Sequence, residues 1–152
     1  EKNSFKILKP GDLIIEISGG SPIQSTGRIG YINDSTIKRF NKPIICSNFC
    51  RSISLPDKKY IYNFLLLWER LYENGVLFGW EGKTSGIKNL LFESFISNYL
   101  QPIPEYSLVE KFYYEVDPYF NKIQLNLREN EKLRELRDWL LPILMNGQVK
   151  VS

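Results

Sequence analysis

The residues of this chain best suited to chemistry are small hydroxyls, amides and bases gathered beside glycines. Residues 18–28 read SGGSPIQSTGR, so Ser18, Ser21, Gln24, Ser25, Thr26 and Arg28 lie next to the adjacent Gly19 and Gly20. Paired glycines followed by Ser-Pro end a strand and leave backbone N–H groups exposed in a tight turn, where no Cβ obstructs a phosphate. Hydroxyl, amide and guanidinium groups in turn bond phosphate oxygens and base edges. Ordinary turns use the same composition, and residue types alone leave both readings open. Lys38, Arg39, Lys42, Asn48 and Arg51 continue the positive character, and Lys83, Thr84, Ser85, Lys88 and Asn89 form a second basic, hydroxyl-rich segment.

Other chemistries lack their residues. The chain has no His, which removes His-dependent triads, His-ligated zinc and the commonest general base near neutral pH. No nucleophile elbow, zinc-protease helix, phosphate-binding glycine loop or calcium loop is present. A carboxylate metal site of the nuclease type would need Asp12, Glu16 and Asp34 to converge, and solvated or capping carboxylates are the simpler reading. Cys46 and Cys50 lack the spacing of a redox pair and read as reduced structural thiols of a cytosolic protein. A non-catalytic chain with no metal and no cofactor of its own is expected. No apolar run reaches the roughly 18 residues of a membrane helix, and no signal-peptide core follows Glu1-Lys2-Asn3, so a soluble cytoplasmic protein is expected.

The 152 residues are 43% hydrophobic and 24% charged, a globular composition. Twenty basic against seventeen acidic residues give +3, too mild by itself to argue for nucleic acid. The excess is uneven. Residues 1–104 hold thirteen basic and nine acidic side chains, residues 105–152 hold seven and eight, and within residues 28–59 the count is seven against two.

Short strands must position the basic loops. The β-branched apolar run over 13–17 reads as a buried strand, apolar alternation predicts strands over 28–32 and 49–55, and another opens at 42–46, with a turn at Asn33-Asp34-Ser35, in a curled or barrel-like β region. From Asp57 the period changes: Tyr60, Ile61, Phe64, Leu65, Trp68, Leu71 and Tyr72 follow the i, i+3, i+4 pattern of an amphipathic helix over 57–74, capped by Asp57 and stopped by Gly75. Its aromatics read as core rather than as a base-stacking surface. Residues 76–80 suggest a strand, 81–86 a polar loop, 90–99 a short helix or turn, and Gln101-Pro102-Ile103-Pro104 an extended link. Ser107 and Glu110 fit a capping box for a helix over 108–116, and Asp117-Pro118 fits the start of a second, long helix that bends at Pro142 and stops at Asn146-Gly147. Phe120, Ile123, Leu127, Leu133, Leu136, Leu140 and Ile143 give that helix an apolar seam, turned slightly at Asn130. At ~1.5 Å per residue it spans about 40 Å, so part of the seam needs a partner outside the β region. The expected class is α+β: a small β-rich domain with one packed helix over 1–104, then a helical hairpin or long coiled-coil-like helix over 105–152.

The order of segments resembles the DNA-specificity (S) subunit of type I restriction-modification systems. Gly11-Asp12-Leu13-Ile14-Ile15, Ser18-Gly19-Gly20-Ser21-Pro22 and Gly27-Arg28 are similar to the middle of a target recognition domain, and Ser47-Asn48-Phe49 and residues 84–90 to later landmarks. Pro102-Ile103-Pro104 corresponds to the entry into the spacer helices, and LRELRDWLLPILMNGQV, from Leu133, to their end. An S subunit has two recognition domains and two spacer helices, whereas this chain holds one set, which implies the C-terminal part of such a subunit or a half-length relative. The resemblance implies that the β-rich domain reads one half of a bipartite site on double-stranded DNA. It further implies that the long helix pairs with a second copy, or with the second half of the subunit, as a rigid spacer. Methylation and restriction subunits would dock as partners and do the catalysis, with S-adenosylmethionine held by the methylation subunit. The rival reading is a protein-interaction module that assembles through its C-terminal helix and does not bind DNA.

Overall fold

The apolar run that predicts a strand over 13–17 forms β1 (Asp12–Glu16) in the computed structural model, which describes residues 7–19, 21, 23–40, 42–84 and 87–147. β2 (Ser18–Gly19) follows at once, then β3 (Ile29–Tyr31) and, after an intervening helix, β4 (Cys50–Ser54). β1 lies between β3 and β4 in an antiparallel sheet, with Ile15 opposite Ile29 on one side and Arg51 on the other. Successive side chains of a strand point to opposite faces. Leu13 and Ile15 are accordingly sealed on one face, where Ile15 joins Trp68, Leu77, Phe92 and Phe95 in the main core, while Ile14 packs on the other against Leu8, Ile32 and Cys46.

The helix α1 (Asp34–Arg39) occupies the stretch where a turn is expected. Asn33 Oδ1 accepts hydrogen bonds from Thr36 N at 2.8 Å and Thr36 Oγ1 at 2.9 Å, so the Asn-Asp-Ser triplet caps a helix instead of reversing a hairpin. The strand expected over 42–46 reduces to one bridge, Ile7 to Ile45, beside a Leu8 N to Ile44 O bond. Pro43 has no N–H to extend a ladder. Asp57 caps as expected, its Oδ1 accepting from Lys59 N, but the first turn, Lys58–Tyr60, is a 3-10 turn and α2 proper runs Ile61–Glu73. Its buried stripe is Ile61, Tyr62, Leu65, Trp68 and Leu71, and Gly75, in the left-handed conformation, ends the segment. The strand expected over 76–80 is a 3-10 helix, Val76–Trp80. Phe78 N bonds back to Gly75 O, which keeps the chain turning, so Leu77 is buried while Phe78 stays outside.

Residues 81–84, expected as loop, form β5 (Glu81–Thr84), antiparallel to β6 (Ile87–Leu90). β2 joins the other edge of β6, giving a second three-stranded sheet in the order β2-β6-β5. Among the described residues the β region is thus two small antiparallel sheets. The short helix expected within 90–99 is α3 (Phe92–Asn98). The C-terminal helix differs most from expectation: α4 (Tyr106–Met145) is continuous, with Pro118 and Pro142 inside it. Pro118 removes one backbone donor and its ring crowds the preceding turn, which costs stability but does not divide this helix, so of the two forms expected for this region the described residues take the single long helix and not the hairpin. Glu105 O accepts from Leu108 N and Val109 N, which places Ser107 within the first turn instead of at the cap. Gly147, in the left-handed conformation, ends α4 as expected.

The α+β class stands, in two units: Glu1–Tyr114 and Glu115–Ser152. The division lies within α4 and not at residue 104, because the first turns of α4 belong to the first unit. There Val109 is buried, Tyr113 stacks on Tyr62 at 5.3 Å, and Lys59 pairs with Glu110 at 3.3 Å beneath the Tyr114 ring. No helix of the described residues is long and apolar enough to cross a membrane.

Candidate nucleic-acid interface

At the end of β1 the chain passes from one sheet to the other, and three loops distant in sequence meet there. Glu16 N bonds Arg28 O at 2.8 Å, Ile17 N and Ser18 N both bond Phe49 O, and Leu90 N bonds Ile17 O at 2.9 Å. The 18–28 loop, the 47–49 turn and the β5–β6 hairpin are thereby assembled into one surface. Ser18, Ser21, Gln24, Arg28, Asn48, Arg51, Lys88 and Asn89 are among the residues brought to this end of the fold.

Several of these side chains have partners within the fold. Ser18 Oγ donates to Asn89 Oδ1 at 2.7 Å across the β2–β6 ladder. Arg28 forks onto Glu16, Nε to Oε2 at 3.0 Å and Nη2 to Oε1 at 2.8 Å. These bonds hold the Glu16 carboxyl below its ordinary range and raise Arg28 further. Arg28 nonetheless remains 58% exposed. Arg51 pairs with Glu93 and lies 4.8 Å over the Phe92 ring. Lys88 is the most enclosed: its side chain is 11% exposed, its ammonium is 3.1 Å from Glu81 Oε2, and it donates to Gln24 O at 3.2 Å. Ser21 and Gln24 bond each other through their backbones, leaving Ile23 fully exposed at the tip.

The loop is also held from beneath. Trp68 Nε1 donates to Gly27 O at 2.6 Å and Tyr72 OH to Ser25 O at 3.3 Å, so the aromatic face of α2 supports the loop while filling the core. Gly27 has φ +110°, and a Cβ there would stand 2.6 Å from Leu77 Cδ1.

The remaining candidates are placed by other parts of the fold. Lys38 and Arg39 are exposed in the last turn of α1, and Lys42 is exposed beyond it. Ile37 and Ile44, on the same stretch, pack against the Leu8, Ile32 and Cys46 cluster on the Ile14 face. Lys83 and Thr84 lie in β5, opposite Lys88 and Ile87, and Ser85 lies outside the described residues. Among the described residues no group of His, Cys, Asp and Glu side chains is arranged to hold a metal ion. Asp12, one of the carboxylates considered for such a site, instead accepts from Lys9 N and Ser54 Oγ. A cleft of about 460 Å³ between α2, α3 and residues 99–103 is lined mainly by Tyr60, Phe64, Tyr99 and aliphatic groups.

Glu81, central to the arrangement, escaped sequence reasoning, and Glu16, considered there only as a metal-site carboxylate or a solvated one, is instead the partner of Arg28. Glu81 Oε1 accepts from Thr26 N at 2.7 Å and Thr26 Oγ1 at 3.1 Å. No local signal marks either pairing, since a lone carboxylate in a strand looks the same whether it is solvated or paired.

The apolar residues of α4 beyond Tyr114 are largely uncovered within their own unit. Ile123, Leu127, Leu133 and Leu136 are 47–56% exposed, and Phe120, Leu140 and Ile143 are half-buried. They do not form the single, slightly turned seam expected. Because α4 is continuous, six residues at about 100° each set Leu133 roughly 120° around the helix from Leu127. Phe120, Ile123 and Leu127 make one stripe, and Leu133, Leu136, Leu140 and Ile143 another.

No protein-family model matches the chain, nor does any curated protein or solved structure.

Proposed function

We propose that the chain is the sequence-reading part of a type I restriction-modification specificity subunit, a cytoplasmic DNA-binding protein that carries out no catalysis itself. In this reading the first unit recognises one half of a bipartite duplex site. The helix of the second unit joins a second copy, or the other half of the subunit, and methylation and restriction subunits dock on the assembly. S-adenosylmethionine belongs to the methylation partner. The observation that carries the reading is the division of labour along the chain. The first unit holds fourteen basic and eleven acidic residues, the whole +3 excess, and gathers its polar loops at one end. The second is neutral, six against six, and leaves long aliphatic side chains uncovered along a helix.

The internal partners of the loop residues refine how such a surface would work. Lys38 and Lys42, carried by α1 and the segment after it and not by the three loops, are exposed and make no ion pair among the described residues, which suits them to phosphate contacts beside the loop surface. Arg28, exposed but forked onto Glu16, would meet a base with its orientation already set. The test is titration of the full chain, alone and with its methylation subunit, against duplexes selected from a randomised pool at several salt concentrations. Binding should fall steeply with salt, and Lys38→Ala with Lys42→Ala should lower the slope by about 1–2. Absence of duplex binding in both settings would refute the proposal.

One observation favours the protein-interaction module instead: Arg28, Arg51 and Lys88 all carry carboxylate partners already. That reading expects assembly through α4 with no duplex bound at any salt concentration.

A further inference from the structure

Glu81 and Lys88 pair diagonally across the β5–β6 ladder, where their register partners are Leu90 and Lys83, with side chains only 5% and 11% exposed, and both reach out of the hairpin into the 18–28 loop. Glu81 Oε1 takes the backbone N–H and the hydroxyl of Thr26, a residue with no exposed surface. Lys88 Nζ pairs with Glu81 Oε2 and donates to Gln24 O. The links span 55 and 64 residues of sequence. We propose that Glu81 and Lys88 are positioning residues, a polar clamp that gives residues 23–26 one conformation and thereby sets which groups the loop presents.

The physical argument is one of cost. Withdrawing a carboxylate and an ammonium from water is expensive, and apolar residues of similar volume commonly stabilise a site as well or better. What apolar residues cannot supply is a directional bond to Thr26 N, Thr26 Oγ1 or Gln24 O. The pair therefore contributes order in the loop more than global stability. The tethers from α2, at Ser25 O and Gly27 O, alternate along the chain with the clamp's bonds at Gln24 and Thr26, so α2 and the hairpin hold adjoining residues of the loop. The effect on DNA selectivity rests on the function proposed above, whereas the clamp itself does not.

The experiment compares the full-length wild type with Glu81→Leu/Lys88→Met and Glu81→Gln by thermal unfolding and amide hydrogen exchange. The double variant leaves no lone buried charge, so it should melt within about 4 °C of wild type. Exchange over residues 23–26 should nevertheless rise by about tenfold or more, with 12–16 and 61–73 unchanged. Glu81→Gln retains an oxygen for Thr26 and should stay near wild type at the Thr26 amide. Unchanged exchange over 23–26 in the double variant would overturn the clamp. So would a uniform rise in exchange with a large loss of melting temperature, which marks a purely stabilising pair. Duplex selection with the same proteins separates the two ideas. Loop release with altered preference among selected duplexes supports both, and loop release in a protein that binds no duplex supports the clamp while removing the DNA reading.

Discussion

Replacing Trp68 by Phe removes one hydrogen bond and part of one ring from the point where α2 meets the 18–28 loop. The indole is 3% exposed, donates to Gly27 O at 2.6 Å, and lies against Phe64, Phe92 and Phe95 with ring centroids 5.4–5.9 Å apart. Phe keeps most of the ring contacts but offers no donor, so the buried Gly27 carbonyl loses its partner at a cost of about 1–3 kcal/mol. The smaller ring leaves roughly 40 Å³ unfilled, and at about 24 cal/mol per Å³ this adds roughly 1 kcal/mol. A loss of about 2–4 kcal/mol is expected, a large share of the ~5–15 kcal/mol stability of an ordinary domain. Urea unfolding followed by near-ultraviolet circular dichroism reads the aromatic cluster directly. With m of about 2 kcal/mol/M the midpoint should fall by roughly 1–2 M. A fall below about 0.3 M would show that the indole N–H contributes nothing there. Loss of duplex binding at unchanged stability would point instead to a base-stacking surface, against the core assignment of this helix.

Three further outcomes are expected. Gly27→Ala should destabilise by about 2–4 kcal/mol, from the positive φ and the close approach to Leu77, whereas Gly30→Ala, with open space around its Cβ, should be neutral or slightly stabilising in the same urea assay. Glu16 has a carboxyl held below its ordinary value of 4.5, chiefly by the Arg28 hydrogen bonds. Its contribution is therefore complete above that value and is lost as pH falls through the lowered one, so Glu16→Gln should flatten the acid side of the stability profile measured by thermal melts; an unchanged profile would contradict the pairing. Leu136→Asp with Leu140→Asp should abolish self-association or docking through the second stripe of α4 while leaving the first unit folded, and unchanged mass by light scattering with unchanged complex assembly would rule that stripe out.

Elements governed by local periodicity were legible in the residues. β1, α2 and the end of α4 follow from apolar spacing and from glycines at their stops, because side-chain direction repeats every 2 or about 3.6 residues whatever lies nearby. Where local signals served two structures, the fold decided. Asn33-Asp34-Ser35 suits a turn and an N-cap equally, and the Thr36 bonds made it a cap. Residues 76–80 have the composition of a strand, yet they leave Gly75 as a 3-10 helix that buries Leu77 beneath Gly27. Asp117-Pro118 has the form of a helix start, yet α4 runs through it.

The candidate surface divides in the same way. Composition alone identified the basic, glycine-bordered loops and the uncovered aliphatic residues of α4, since those depend only on which residues are present and how they are spaced. Tertiary structure alone decided that the 18–28 loop, the 47–49 turn and the β5–β6 hairpin share one end of the fold. It also decided that Arg28, Arg51 and Lys88 meet Glu16, Glu93 and Glu81. The reason is physical: a charge's partner is set by distance in space, and Glu81 and Thr26 become neighbours only once β2 has crossed from β1's sheet to β6.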